Sequence, residues 1–193
     1  MQVRTVVNLS SYAELAVRLA NTAVLADGEP DPLTSLDACT KTFSDSIAAN
    51  VTQRDLAVLS YLRDELSAIF SSAATGDGQA AVDRLNGLLV QFPIQPELVS
   101  HDEQRWHVHL ASQGAASDQL AAGAIIGLAL TISLHGVSRL GTCAIASCPR
   151  VFVDSSPNIS RRYCAEHGPR GNVSALRTPS PAVESVRTTP AAS

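Results

Sequence analysis

The chain has 193 residues, of which 45% are hydrophobic and 17% are charged, and its formal net charge is −4. This length predicts one medium-sized domain, alone or with a small appendage, and the apolar share suffices for a packed core. Aromatic residues make up only 4%, so alanine, leucine and valine must form that core. The abundance of alanine and leucine favours helices. The N-terminal stretch lacks a charged segment followed by a long apolar run, so we expect no secretory signal.

The first half of the chain shows the apolar spacing of amphipathic helices. Ser11 with Glu14, and Thr52 with Asp55, form the sequence pattern that begins a helix, a capping residue followed three positions later by an acid. The predicted segments are a strand or extended lead-in at 3–8, a helix from about Ser11 to Gly28, a weak helix at 35–40, a helix from Thr52 to about Phe70, and a helix at 79–91.

Beyond residue 95, the spacing of apolar residues changes from that of a helix to the two-residue alternation of a strand. Residues 96–100 and 106–110 predict a two-stranded hairpin that turns at 101–104. His107 and His109 would share one face of the second strand, opposite Trp106. Two histidines at this spacing suit a metal, but no carboxylate or third histidine is near them in sequence, so we expect them to face solvent.

Leu120 to Leu134 is the longest apolar segment, and it contains no charged residue. Fifteen residues are short for a membrane span, which needs about 20, so a central buried helix is expected and no membrane association. Its small residues, among them Gly123 and Gly127, would let neighbouring helices approach closely. They would serve a homodimer interface equally well.

Three of the four cysteines follow this helix in the pattern C-x4-C-x15-C-x2-H, formed by Cys143, Cys148, Cys164 and His167. Two close pairs separated by a loop are typical of a tetrahedral zinc site, and four protein ligands make such a site structural. Clustered cysteines at metal-ligand spacing also favour a reducing, cytoplasmic setting. Cys39 stands alone and is expected to be a small buried residue.

The same region is rich in arginine. Residues 139–177 carry six arginines against Asp154 and Glu166, a local charge of +4, so the rest of the chain carries about −8. Because nucleic-acid binding depends on local charge, this segment suits DNA phosphates. The candidate DNA contacts are Arg150, Arg161, Arg162, Arg170 and Arg177.

Residues 139–177 resemble the CGNR-type zinc finger of bacterial stress-induced transcription regulators. The matching features are the C-x4-C pair, Phe152-x-Asp154-Ser155, Asn158, Arg161-Arg162-Tyr163-Cys164 and Gly171-Asn172. In that family a mostly helical ABATE domain precedes the finger. The order of elements in residues 1–138 is compatible with such a domain, including Leu19-Ala20-Asn21-Thr22 in the early helix.

The chain departs from the family pattern at the fourth ligand. The family places a cysteine in Cys-Gly-Asn-Arg, whereas this chain reads Pro169-Arg170-Gly171-Asn172-Val173. Either His167 takes over as the fourth ligand, or zinc binds weakly, or the site is degenerate.

The sequence therefore predicts a mainly α fold with a small β-hairpin, in which a helical domain at 1–138 is followed by a zinc knuckle at 139–177 and a disordered tail at 178–193. The resemblance implies a DNA-binding transcription regulator with a sensing role, and an unknown small-molecule effector, for the N-terminal domain. The alternative is a ligand- or partner-binding helical module whose knuckle is structural or degenerate. We expect no enzyme, because the sequence contains no HExxH, CxxC, nucleophile elbow or glycine-rich phosphate loop.

Overall fold

Five helices and two small antiparallel hairpins make up the described part of the chain. The computed structural model describes residues 9–24, 31–43, 50–92, 94–99, 107–110 and 115–168. The helices are α1 (Leu9–Asn21), α2 (Leu36–Thr42), α3 (Gln53–Ala74), α4 (Gly78–Gln91) and α5 (Ala116–His135). Strand β1 (Glu97–Val99) pairs with β2 (His107–His109), and β3 (Leu140–Thr142) pairs with β4 (Val151–Val153). The predicted mainly helical fold with a small β-hairpin is confirmed.

Helix α5 lies at the centre of the core and packs against α1, α3 and α4. Leu120, Ile125 and Leu128 are fully buried, and the helix approaches α1 closely at Gly123 and Gly127. A Cβ atom added at Gly127 would lie 2.5 Å from the backbone nitrogen of Ala13, which no side chain tolerates. The expectation that small residues in this helix allow close approach is therefore confirmed.

By length and apolar content, α5 is the one candidate membrane span among the described residues. However, 56% of its most apolar stretch is buried inside the fold, and its buried polar residues, Ser117 and Thr131, are hydrogen-bonded within the protein. These features are those of a core helix, as the sequence predicts.

A buried carboxylate joins the N-terminal ends of α3 and α5. Asp55 accepts hydrogen bonds from the backbone N–H and the hydroxyl of Thr52, at 2.7 and 2.6 Å, which completes the predicted capping pattern. It also accepts from the backbone N–H and the hydroxyl of Ser117, at 3.2 and 2.5 Å. Burial opposes its ionisation, but these donors outweigh burial and lower the pKa of Asp55 to about 2.

Helix α1 differs from its prediction at both ends. It begins by Leu9, so Ser11 lies inside the helix and cannot cap it, and it ends at Asn21 rather than near Gly28. The chain turns there because the hydroxyl of Thr22 donates to the carbonyl of Leu19 at 2.7 Å, which competes with helix continuation. The apolar residues beyond Asn21 therefore do not extend the helix.

The other predicted segments are found close to their expected places. Ser35 caps α2 by accepting from the N–H of Ala38 at 3.2 Å, and Asp77 caps α4 by accepting from Ala80 at 3.0 Å. Helix α3 continues four residues past Phe70 to Ala74. Cys39 is buried as expected. Several predictions concern parts of the chain outside the described residues. They are those for the segment 3–8, Trp106, the hairpin turn, the side chains of His107 and His109, and the tail at 178–193.

Candidate metal centre

The hairpin of β3 and β4 presents the first two cysteines. Cys143 follows β3 directly, and its N–H donates to the carbonyl of Arg150 at 2.8 Å, which extends the pairing by one step. The chain then turns, with the N–H of Cys148 donating to the carbonyl of Ile145 at 2.9 Å. This turn brings both thiols to the same end of the hairpin.

A second turn supplies the other two side chains. The N–H of His167 donates to the carbonyl of Cys164 at 3.2 Å, so that both side chains point the same way. The two turns are joined because the N–H of Ala144 donates to the carbonyl of Arg162 at 2.8 Å. In this way the loop between the close pairs is held against the hairpin.

The four predicted ligands come together. One donor atom from each of Cys143, Cys148, Cys164 and His167 lies within 4.8 Å of the other three. The Nδ1 atom of His167 is 3.5 Å from the Sγ atoms of Cys143 and Cys164, and the Sγ atoms of Cys148 and Cys164 are 3.9 Å apart. Tetrahedral zinc with ordinary bond lengths requires separations of about 3.8 Å between sulfurs and about 3.5 Å between sulfur and nitrogen. The donor set and its spacing therefore suit zinc.

The thiols of this cluster differ in how readily they ionise. Burial opposes ionisation of Cys143, but the backbone N–H groups of Cys164 and Ile145 outweigh it and lower the pKa of Cys143 to about 7. Burial raises the pKa of Cys148 to about 11, and the neighbouring sulfurs of Cys143 and Cys164 add to the effect. Zinc binds thiolates, so metal binding displaces protons and its affinity rises with pH.

A small apolar layer and one buried carboxylate support the cluster. Phe152 packs against Cys143 and Cys164. Asp154 is buried, and its two oxygens accept from the N–H groups of Ser156 and Arg161 at 2.7 and 2.8 Å. Burial raises the pKa of Asp154, but these hydrogen bonds prevail and hold it below its usual range.

The hairpin is also fastened to the helical core. The side chain of Asn21, the last residue of α1, donates to the carbonyl of Val151 at 3.0 Å and accepts from its N–H at 2.8 Å. Leu140 and Val151 belong to the main hydrophobic core, whereas Phe152 belongs to the layer under the cluster. Arg139, just before β3, connects the start of the hairpin to the chain after β4 by donating to the carbonyls of Asp154 and Ser156. The boundary between residues 138 and 139 stays a prediction.

The three described arginines among the candidate DNA contacts have different surroundings. Arg161 donates from Nε to the carbonyl of Tyr163 at 2.9 Å and lies over the ring of Phe152, 4.8 Å from its centroid. Arg150 is half-buried, and Arg162 is exposed. Within the described residues, neither of these two makes a side-chain hydrogen bond or ion pair. Arg170 and Arg177 lie outside those residues.

The sequence does not predict that Asn21 binds the finger, nor that Arg161 stabilises the finger internally. From the sequence, an asparagine at this position indicates only the end of a helix. No neighbouring residue indicates that its partner is Val151, 130 positions away. The only signal is the position of Asn21 in the stretch that resembles the ABATE domain.

Comparisons with known proteins agree with this geometry. Residues 13–132 match the ABATE family, described as "Putative stress-induced transcription regulator", and residues 139–178 match the CGNR zinc finger. No curated protein matches the chain significantly. The first match runs from within α1 to within α5, and the second begins one residue before β3 and includes all four members of the cluster. The chain therefore belongs to the ABATE family of regulators and carries a CGNR-type zinc finger, in which His167 joins three cysteines in the cluster.

Proposed function

We propose that this protein is a DNA-binding transcription regulator whose finger contacts DNA and whose helical domain receives a signal. The observation that carries the proposal is the cluster of Cys143, Cys148, Cys164 and His167, which suits zinc, with the exposed side chain of Arg162 beside it. Arg162 lies two residues before Cys164, and its backbone carbonyl accepts a hydrogen bond from the N–H of Ala144. An exposed cation on the surface is suited to a phosphate.

The surroundings of the arginines divide their proposed roles. Arg162 has its guanidinium available, so we assign it a phosphate contact. Arg161 is bound to Tyr163 and stacked on Phe152, so it acts mainly by holding the finger together. Arg150 faces a cleft next to helix α1. Arg170 and Arg177 remain candidate contacts from the sequence alone.

The cluster also supports a structural role for the metal. When four protein side chains occupy all four positions, zinc has no open position for a water molecule or a substrate. We therefore propose that the protein is not a zinc enzyme. A regulator of this kind would act in the cytoplasm.

Titration of zinc-loaded protein against labelled duplex DNA tests the proposal. We expect binding at about 50 mM salt that weakens steeply by about 200 mM, because each phosphate contact releases a counterion. Arg162→Gln should weaken binding uniformly across sequences and reduce the salt slope by about one. Arg54→Gln, at an exposed position on helix α3 without an ion pair to another described residue, is the matched control and should bind as the unchanged protein does.

The alternative is a ligand- or partner-binding module with a purely structural knuckle. It predicts zinc-loaded, folded protein that shows no DNA binding even at low salt, and that result would rule out the leading proposal. The cleft beside α1 is the feature that favours a ligand.

A further inference from the structure

A cleft of about 470 Å³ lies between helix α1 and the finger. This volume falls in the range of small-molecule sites. One wall is formed by Ala13 and Val17 of α1, and the opposite wall by Phe152 and Cys164 of the finger. The C-terminal end of α5, with Thr131, closes it. The cleft therefore has apolar surface on two different parts of the fold.

The charged side chains and the histidine along the cleft, apart from Arg139, fall into two sets. The first set is already bound within the protein: Asp154 accepts from two backbone N–H groups, and Arg161 donates to the carbonyl of Tyr163. The second set has no hydrogen bond or ion pair to another described residue. It consists of Arg150, which is half-buried, and of Glu14, Glu166 and His135, which are exposed. Charges of both signs are thus available to a ligand.

One further donor belongs to this cleft. Arg139 is among its lining residues, and the buried Nε–H of Arg139 has no acceptor within the described part of the chain. A buried donor without an acceptor is costly in a folded protein. Arg139 therefore adds a second positive charge to the lining of the cleft, beside Arg150.

We propose that this cleft binds a small zwitterion, a molecule with one carboxylate, one amine and an aliphatic segment. The carboxylate pairs with Arg150, since guanidinium groups bind carboxylates through charge-assisted hydrogen bonds. The amine faces Glu14 and Glu166, whose exposure places them at the edge. The aliphatic segment lies against Val17 and Phe152. This assignment does not depend on DNA binding.

The position of the cleft gives the ligand a physical connection to the finger. Its two walls belong to α1 and to the segment that carries Cys164, one of the cluster residues. A ligand that contacts both walls favours the arrangement in which the finger is docked on α1. The proposed effector would therefore act on the position of the finger.

The test uses the full zinc-loaded chain and four probes of similar size: norleucine, ω-aminohexanoate, hexanoate and hexylamine. We expect saturable binding of at least one zwitterion, measured by calorimetry or by amide chemical shifts of the cleft residues. Hexanoate and hexylamine should each bind at least about tenfold more weakly, because each lacks one charge-assisted contact.

Arg150→Gln should weaken zwitterion binding about tenfold, whereas Arg162→Gln, on an exposed arginine outside the cleft, should leave it unchanged. Zinc content and melting temperature show whether each variant is folded. Glu14→Gln, an exposed position on α1, serves as a second variant and should also weaken binding. Absence of saturable binding by both zwitterions overturns the proposal, as does equal binding by folded Arg150→Gln. Since Arg162→Gln affects DNA and Arg150→Gln affects the zwitterion, failure of one proposal is distinguishable from failure of the other.

Discussion

At the scale of single residues, His167 has the largest consequence for the metal site. The Cys-Gly-Asn-Arg pattern would place a cysteine directly before Gly171-Asn172, where this chain has Arg170. His167 comes three positions after Cys164, and the turn between them brings its Nδ1 atom to 3.5 Å from two cluster sulfurs. An imidazole is a normal zinc ligand, so a set of three cysteines and one histidine closes the site as four cysteines would.

His167→Ala should lower the zinc affinity by at least about a hundredfold. Loss of an outer-shell partner alone costs 10–100-fold, and His167 is proposed as a direct ligand. The measurement is zinc content by elemental analysis after dialysis against a competing chelator, where the unchanged protein should keep about one zinc per chain.

His135→Ala is the control for this substitution, because His135 is an exposed histidine outside the cluster. It should retain the metal. Equal zinc retention by His167→Ala would show that His167 is not a ligand. No zinc in either protein would show that the site is degenerate.

Asp55 is the residue that links stability to pH. Its folded pKa is about 2, against an ordinary value of 3.8. A carboxylate with a lowered folded pKa stabilises the fold above its unfolded pKa and loses that contribution as the pH falls through its folded pKa. Stability from Asp55 is therefore fully present above about pH 5 and is lost between about pH 4 and pH 2.

Asp55→Asn should lower the free energy of unfolding by about 2 kcal/mol at neutral pH, which corresponds to the shift in pKa. The difference from the unchanged protein should shrink towards zero near pH 2. Denaturant unfolding of both proteins at each pH measures it, and the comparison cancels the loss of zinc that acid causes in both. A difference that is constant with pH would contradict this role for the carboxylate.

At the scale of elements, the contact between α1 and α5 determines how the core is built. Helices this close need residues without side chains at the point of crossing, and Gly127 of α5 faces the backbone of Tyr12 and Ala13. Gly87 of α4 is the contrasting case, because it is exposed and an added Cβ atom there would have open space around it. The two glycines therefore predict opposite effects of the same substitution.

Gly127→Ala should destabilise the protein by about 2–3 kcal/mol, because the added methyl group forces the two helices apart. Gly87→Ala should stabilise it by about 0.5–1 kcal/mol, because alanine has the higher helix propensity and reduces the freedom of the unfolded chain. Chemical denaturation of both variants provides the measurement. A neutral Gly127→Ala would mean that α1 and α5 do not cross at this point.

At the scale of the whole molecule, the finger and the helical domain share one core. Leu140 and Val151 of the hairpin are buried among the helices, and Asn21 pairs with the backbone of Val151. A change at the metal cluster is therefore transmitted to the helices through β3 and β4. The expected result is one cooperative unfolding unit in place of two independent ones.

Zinc removal by a chelator should lower the melting temperature of the whole protein by about 10 °C. Far-ultraviolet circular dichroism, which follows the helices, should report this shift even though the metal lies in the finger. A helical signal that melts at the same temperature with and without zinc would show that the two parts unfold separately.

The sequence predicts what depends on local spacing and misses what depends on distant contacts. Apolar residues at helical intervals predict α3, and the cysteine spacing predicts the cluster, because both patterns act over a few residues. The C-terminal end of α1 is predicted wrongly, since apolar residues beyond Asn21 continue the pattern while Thr22 ends the helix. The docking of the finger escapes prediction, because it depends on an asparagine and a strand 130 positions apart.

The pairing of Asn21 with Val151 limits the transfer of this finger to other proteins by gene fusion or recombination. A peptide of residues 139–177 made alone would expose Leu140 and Val151, whose apolar side chains need the helices as cover. Fusion to an unrelated domain would require that domain to offer both a matching apolar surface and an amide in the place of Asn21. Recombination at the boundary after residue 138 is therefore expected to succeed mainly between relatives that keep this end of α1.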